Sequence, residues 1–200
     1  MVNAHIYIEG ADSKDDQILC RKAFRKLFER VGLSGRLPRT TACGSRTAAF
    51  DDFKKKLKLA DGGDFIALLV DSEDPVTDVE RTWAHLQSRD NWKRPAGASD
   101  EQVFLMTTCM ETWIAADRAS LRTHFGAKLQ ENALPALHEL ENRHRHVVQD
   151  ALEHATRNCS NQYRKGKRSF EVLAELQTDA LGALPSFARM ARILKMKLGA

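Results

Sequence analysis

Acidic side chains follow two apolar segments of the chain that are predicted to be β-strands. Glu9 comes after the run 6–8, and Asp71 and Glu73 come after the run 65–70. Carboxylates at the ends of neighbouring strands converge on one small volume, where their repulsion raises their pKa values unless a cation neutralises them. Mg²⁺ and Mn²⁺ prefer oxygen ligands. The spacing therefore predicts a metal site formed by Glu9, Asp71 and Glu73.

Such a site would suit phosphate chemistry, because Mg²⁺ is typically held by one or two protein carboxylates while substrate phosphates complete its coordination. One ion, or two ions roughly 4 Å apart, would then act on the attacking and leaving oxygens of a phosphodiester. The alternative role for these carboxylates is helix capping. Asp74, which precedes Pro75, either belongs to the site or is a turn residue, and we leave it out of the metal set. Glu111 either reaches the same crevice or favours the start of a helix.

Alternating strand and helix patterns would position these carboxylates. Apolar runs predict strands at residues 5–9, 36–43, 65–70 and 103–107. Helical periodicity predicts helices after the first two strands, ending at Gly32 and at Gly62-Gly63. Alternation at this spacing is typical of βαβ units, so we expect an α/β fold with a Rossmannoid parallel sheet flanked by helices. Residues 76–100 are expected to form a polar connection.

From about residue 119 the apolar residues recur at helical spacing, with breaks at Pro135 and Pro185. We predict a catalytic domain over residues 1–118 and a helical extension, packed on that core, over residues 119–200. No apolar run reaches the roughly 18 residues needed to span a bilayer, and the N-terminus lacks a signal-peptide pattern. We therefore expect a cytoplasmic protein that has no membrane partner.

The composition, with 42% hydrophobic and 29% charged residues, excludes disordered and low-complexity classes. The net charge of +4 is unevenly distributed. Residues 1–60 carry 13 basic and 7 acidic side chains, 61–118 carry 5 and 12, and 119–200 carry 13 and 8. An acidic middle between basic ends is what a metal site for a nucleic-acid substrate would require.

Basic residues near glycines are the candidates for phosphate contacts. The run Arg164 to Arg168 lacks the earlier glycine and the following Ser or Thr of a Walker A loop, so it is not a P-loop. Lys167 is the candidate catalytic lysine for charge on the scissile phosphate, although charge runs are usually solvated surface. Arg46 follows Ser45 at a predicted helix start, where it could face an anion or where Ser45 simply caps the helix. We predict no role for His85.

The motifs Glu9-Gly10 and Asp71-x-Glu73 resemble the two signatures of the Toprim fold. Toprim domains bind divalent metal through the Glu and an Asp-x-Asp pair, whose second Asp is replaced here by Glu73, with Asp74 adjacent. The chain resembles more closely a family of bacterial Toprim-like proteins related to the nucleases of overcoming-lysogenization-defect systems. These proteins are often encoded beside an AAA or SMC-like ATPase in phage-defence regions. The resemblance is carried by segments 42–46, 70–76, 94–98, 109–113 and 165–167.

This resemblance implies a Toprim-type endonuclease that depends on Mg²⁺ or Mn²⁺. It would cleave RNA or DNA as the effector of a two-component anti-phage system with the ATPase. Its catalytic residues would be Glu9, Asp71, Glu73 and Lys167, with Glu9 as the base for the attacking water. Two alternatives stay open. One is a non-catalytic Toprim-like module that docks to a partner ATPase and regulates it, and the other is a nucleotidyl-transfer or small-phosphate enzyme that uses the same carboxylates.

Overall fold

The computed structural model describes residues 3–60 and 63–199. In this part of the chain, four strands form one parallel sheet in the order β2-β1-β3-β4. The strands are β1 (Asn3–Ile8), β2 (Arg39–Ala42), β3 (Asp64–Asp71) and β4 (Val103–Met106). Helices flank the sheet, so the predicted α/β, Rossmann-like architecture is confirmed. Gly62, at the predicted end of the second helix, lies outside the described residues.

The helices account for most of the remaining chain. The α-helices are α1 (Lys14–Phe28), α2 (Arg46–Lys58), α3 (Thr82–Asp90), α4 (Met110–Ala116), α5 (Arg118–Phe125), α6 (Arg145–Thr156), α7 (Lys167–Leu173), α8 (Thr178–Leu181) and α9 (Pro185–Leu198). A π-helical segment covers Glu29–Leu33, and 3₁₀ segments cover Asp100–Gln102, Gly126–Lys128, Glu131–Ala133 and Leu140–Asn142. Among the helices described, none is long and apolar enough to cross a membrane.

Helices cover both faces of the sheet, so alternate residues of each strand enter different cores. In β3, Phe65, Ala67 and Leu69 belong to the larger core, whereas Ile66, Leu68 and Val70 belong to the smaller one. The larger core includes side chains from α1 and α4 to α9, and the smaller one includes side chains from α2 and α3. Full burial of each large aliphatic side chain contributes about 2 kcal/mol, which explains why β3 is apolar along almost its whole length.

The C-terminal helices share the larger core with the sheet. Trp113 of α4 is fully buried, with ring centres 5.1 Å from Phe187 of α9 and 6.5 Å from Phe24 of α1. Side chains from 1–118 and from 119–200 thus pack in one continuous cluster. The start of α5 at Arg118 coincides with the predicted boundary, and the division into two domains stays a prediction.

The region expected to be a polar connection, residues 76–100, contains the helix α3. Trp83 and Leu86 of this helix are buried and complete the smaller core. The interpretation of residues 76–100 as a polar connection missed this helix, because the helix has only nine residues and two large apolar side chains. In addition, Arg81 at its N-cap position makes no side-chain capping bond. A helix of this kind is stabilised by tertiary packing rather than by local signals.

Candidate metal centre

A cavity of about 500 Å³, called the acidic cavity below, opens at the carboxyl edge of the sheet. This edge is where ligands bind in open parallel sheets, because the loops that leave the strands meet there. Its charged lining residues are Glu9, Asp12, Asp16, Arg46, Asp71, Glu111 and Lys165. Two of the predicted metal ligands, Glu9 and Asp71, therefore lie in one cavity together with two cationic side chains.

Glu9 is held where β1 leaves the sheet. Ile8 pairs with Leu69 of the neighbouring β3, and the next backbone N–H, that of Glu9, donates to Leu69 O at 2.9 Å. Glu9 Oε2 accepts hydrogen bonds from Asp71 N at 3.0 Å and from Arg46 Nη1 at 3.4 Å. Burial raises the pKa of the Glu9 carboxyl, and the positive charge of Arg46 opposes this shift. The carboxylate thus joins two strand ends, and its Oε1 makes no hydrogen bond with any described residue.

Asp71 is the last residue of β3, and the residue as a whole is 9% exposed. Its Oδ1 accepts a hydrogen bond from Met110 N at 2.9 Å, at the start of α4. Burial raises the pKa of Asp71 well above its usual range, and the charges of Glu9 and Glu111 raise it further. The strand ends therefore bring carboxylates close enough to repel one another, which is a situation that a bound cation relieves.

The loop after β3 is fixed by hydrogen bonds to its neighbours. Ser72 N donates to Met106 O at 3.0 Å, and Glu73 N donates to Thr108 O at 2.8 Å. His85 of α3 places its Nε2 2.9 Å from Ser72 O. His85 therefore has a structural contact, which sequence reasoning did not assign to it, and the loop presents Glu73 in a defined place.

Glu73 has a φ of 69°, and its Oε2 is buried without a hydrogen bond from the described residues. This oxygen lies within ion-pair distance of Arg89 (3.5 Å) and of Arg145. The adjacent Asp74 is half exposed and pairs with Arg89 at 3.2 Å. One carboxylate oxygen of Glu73 lies within 4.8 Å of oxygens of both Glu9 and Asp71. The structure thus groups Glu73, rather than Asp74, with the other two predicted ligands.

The donor set fits a hard divalent cation, because it consists of carboxylate oxygens within a short distance of one another. Glu9 Oε1 and Asp71 Oδ2 make no hydrogen bond with the described residues and remain available as ligand atoms. Glu73 differs, because two arginines already neutralise it. Glu9 and Asp71 would therefore hold the ion, and Glu73 would join them only by leaving its arginine partners.

Glu111 lies in the acidic cavity and is 1% exposed. Its Oε1 accepts a hydrogen bond from Tyr163 Oη at 2.7 Å, and its Oε2 accepts one from Gln149 Nε2 at 3.2 Å. Tyr163 is also buried, with Oη 2.7 Å from Ser169 Oγ. Of the two roles that the sequence allowed for Glu111, the structure supports a place in the crevice beside Asp71.

The two lysines of the basic run lie in different places. Lys165 lines the acidic cavity, whereas the Lys167 side chain is 72% exposed and lies 3.9 Å from Glu171. The predicted catalytic Lys167 is therefore not brought together with Glu9, Asp71 and Glu73. Sequence reasoning selected Lys167 rather than Lys165 because charge runs carry no periodicity.

Arg46 is an internal ion-pair partner of the site. Its guanidinium binds Asp90 through Nη2–Oδ2 at 2.7 Å and Nε–Oδ1 at 3.3 Å, while Nη1 contacts Glu9. Ser45 Oγ accepts a hydrogen bond from Ala48 N at 3.2 Å, so Ser45 caps α2. Arg46 thus stabilises buried carboxylates, and the capping role that the sequence allowed for Ser45 is confirmed.

Fold and site together define an α/β protein with a carboxylate-lined cavity at the carboxyl edge of a parallel sheet. A family model described as "Domain of unknown function (DUF4276)" matches residues 15–195. The chain belongs to this family. Asp71, Glu73, Glu111 and Lys165 lie within the matched residues, and Glu9 precedes them. A comparison with the curated proteins gave no match, and a comparison with the solved structures gave none.

Proposed function

We propose that this protein is a divalent-metal-dependent nuclease of Toprim type that hydrolyses phosphodiester bonds of RNA or DNA. The proposal rests chiefly on one observation: Glu9 and Asp71 converge at the carboxyl edge of the sheet in a cavity that Lys165 also lines. Carboxylates beside a cationic side chain combine metal ligands with a group that stabilises a developing phosphate charge.

Each residue of the acidic cavity has a separate role in the proposed reaction. Glu9 and Asp71 would hold Mg²⁺ or Mn²⁺, which would supply Lewis-acid polarisation of the scissile phosphate. Lys165 offsets the negative charge that develops on the phosphate oxygens. Asp71 Oδ1 stays bound to Met110 N, so the start of α4 orients its carboxylate.

The wider biological setting is part of the same proposal. We propose a cytoplasmic location, and the Toprim-like resemblance of the sequence implies an AAA or SMC-like ATPase partner in an anti-phage system. An ATPase gene beside the gene for this chain, together with co-purification of the two proteins, is the expected finding. An isolated gene would remove the support for this partner.

A second function is favoured by a specific observation. Each carboxylate of the predicted trio already has a partner in the protein: Arg46 for Glu9, Met110 N for Asp71, and Arg89 and Arg145 for Glu73. Carboxylates that already have such partners suit a non-catalytic module that docks to an ATPase. This alternative predicts no cleavage and no change in Tm when Mg²⁺ or Mn²⁺ is added.

A cleavage assay separates the two functions. The protein is incubated with labelled RNA and with plasmid DNA in Mg²⁺, in Mn²⁺ and in EDTA. The expected result is cleavage that requires the metal and that falls at least about 1,000-fold in Asp71→Asn and in Glu9→Gln, because metal ligands are lost.

The matched control is Asp78→Asn, which removes an acidic side chain outside the acidic cavity. Its cleavage rate should stay within about twofold of the unsubstituted protein. Asp71→Asn that is folded by circular dichroism and still cleaves at the unsubstituted rate would rule out the proposed site.

A further inference from the structure

A second cavity of about 420 Å³, called the basic pocket below, lies beside the acidic cavity. Four of its lining residues are cationic, namely Arg164, Lys165, Lys167 and Arg168, and no carboxylate is part of its described lining. Lys165 lines both cavities. The two cavities are therefore neighbours that share the Lys165 side chain, one with an excess of acidic groups and the other with an excess of basic groups.

The positive charge of the basic pocket is only partly neutralised. Glu171 lies 2.6 Å from Arg168 and 3.9 Å from Lys167. Among the residues that the structure describes, neither Arg164 nor Lys165 has an ion-pair partner, and both are exposed. Glu171 thus pairs with only two of the four cations of the basic pocket, which leaves net charge for an anionic ligand.

The segment that carries these cations is fixed relative to the acidic cavity. Tyr163 is 1% exposed, and its hydroxyl binds Glu111 and Ser169 Oγ, each at 2.7 Å. Ser169 Oγ also accepts a hydrogen bond from Gly166 N at 3.2 Å. The same buried network therefore holds the floor of the acidic cavity and both ends of the basic segment, so the distance between the two charge centres is set by the fold.

The lining chemistry identifies the ligand class. Besides the cations, the lining consists of Cys159, Ser160 and Gln162, so no aromatic side chain is present to stack on a base. Cationic and small polar groups without stacking surfaces are suited to phosphate oxygens rather than to bases. A ligand with two or more phosphates joined by a short linkage would reach both cavities once a divalent cation occupies the acidic one.

We infer that the basic pocket binds the phosphodiester backbone of the nucleic-acid substrate next to the scissile phosphate, without reading its sequence. The inference rests on the proposed function for the assignment of the scissile phosphate to the acidic cavity. The backbone runs from the acidic cavity past Lys165 into the basic pocket, where Arg164 and Lys167 hold the adjoining phosphates. Contacts of this kind set affinity and its salt dependence rather than the rate of the chemical step.

Binding is measured by fluorescence anisotropy with labelled oligonucleotides in EDTA, which prevents cleavage. Arg164→Ala/Lys167→Ala is compared with Arg122→Ala/Arg192→Ala, a control that removes two exposed arginines outside the pocket. The pocket pair should weaken binding about tenfold or more and should lower the slope of log K against log salt by about 1 to 2. The control pair should change Kd less than about threefold, and equal effects of the two pairs would overturn the inference.

Two further arms separate this inference from the proposed function. Inorganic phosphate should compete only weakly with the oligonucleotide, and displacement at equal concentration would show a site for free phosphate instead. In Mg²⁺ the pocket pair should raise KM about tenfold with kcat within about threefold. If the unsubstituted protein does not cleave at all, the proposed function fails, whereas the anisotropy comparison in EDTA still decides whether the basic pocket binds nucleic acid.

Discussion

The acidic cavity and the basic pocket lie side by side, yet the protein holds their charges in different ways. Glu9, Asp71 and Glu111 are largely buried, and each accepts hydrogen bonds from elements distant in sequence. The cations of the basic pocket are mostly exposed, and two of them have no ion-pair partner among the described residues. The carboxylates are thus preorganised at an electrostatic cost, whereas the cations are displayed with little effect on the fold.

This difference separates stability from binding. Substitutions around the acidic cavity should change the free energy of unfolding as well as activity, because they alter buried charges. Substitutions in the basic pocket should change ligand binding while leaving stability almost unaltered. The following substitutions test this contrast.

The strongest effect on stability is expected from Arg46→Ala. Removing this guanidinium leaves the largely buried Glu9 without its cation and leaves Asp90 with Arg89 alone, and breaking a largely buried ion pair in this way costs about 3 kcal/mol. Urea unfolding measures the loss. The control, Arg25→Ala, removes an arginine whose side chain is 68% exposed and should cost less than about 0.5 kcal/mol. Equal losses in the two variants would contradict the contrast.

The next largest expected effect is a difference in kcat between the alanine variants of two lysines in the same basic run. Lys165→Ala should lower kcat about 100-fold, because Lys165 lines the acidic cavity and, in the proposed function, stabilises the developing phosphate charge. Lys167→Ala should raise KM and leave kcat within about threefold, since its side chain is largely exposed. Steady-state kinetics on one oligonucleotide measures both. A larger loss of kcat in Lys167→Ala would return the catalytic role to the lysine that the sequence predicted.

Glu141 tests whether a buried carboxylate outside both cavities also affects the stability of the fold. Burial raises its pKa to about 7, although Ser186 N and Oγ donate hydrogen bonds to it. The folded state therefore retains a proton that the unfolded state releases above about pH 4.5. Hence the contribution of Glu141 to stability is greatest below pH 4.5 and is lost as pH rises to about 7.

The variant Glu141→Gln stays neutral and should remove this pH dependence. The free energy of unfolding of this variant, relative to that of the unsubstituted protein, should rise by about 2 kcal/mol as the pH is raised from 5 to 8. The exposed Glu153→Gln is the control and should show no such gain. Parallel stability curves for Glu141→Gln and the unsubstituted protein would refute the effect.

The smallest predicted effect is a gain in stability rather than a loss. In EDTA, Asp71→Asn should stabilise the protein by about 1 kcal/mol, because it replaces a carboxyl whose charged form is disfavoured by burial and by the charges of Glu9 and Glu111. Thermal unfolding in EDTA measures the change, and added Mn²⁺ should stabilise only the unsubstituted protein. A lower stability of Asp71→Asn in EDTA would show that its carboxylate is favourable in the fold without metal.

The sequence predicted those parts of the site that depend on strand ends. Glu9 and Asp71 could be assigned because an apolar run such as 65–70 indicates a buried strand and parallel strands end at a common edge. In the structure β1 and β3 are neighbouring parallel strands, so these two carboxylates lie at the same edge of the sheet. Residues in this class are predictable because their position depends on local pattern and on one topological rule.

Other parts of the site depend on tertiary contacts that no local pattern encodes. Arg89 and Arg145 reach Glu73 from α3 and α6, and their pairing with it could not be read from spacing. Lys165, rather than the predicted Lys167, lines the acidic cavity, and the segment that carries it is anchored by the hydrogen bond from the Tyr163 hydroxyl to Glu111. Helix α3 itself was missed because its stability comes from packing against the smaller core.

Binding of Mn²⁺ by isothermal titration calorimetry tests the central claim most directly. The unsubstituted protein should bind Mn²⁺, and Glu9→Gln/Asp71→Asn should lose this binding because both ligand carboxylates are gone. The basic-pocket variant Arg164→Ala/Lys167→Ala should bind Mn²⁺ as the unsubstituted protein does. No binding by the unsubstituted protein, or equal binding by Glu9→Gln/Asp71→Asn, would contradict the assignment of the acidic cavity as a metal centre.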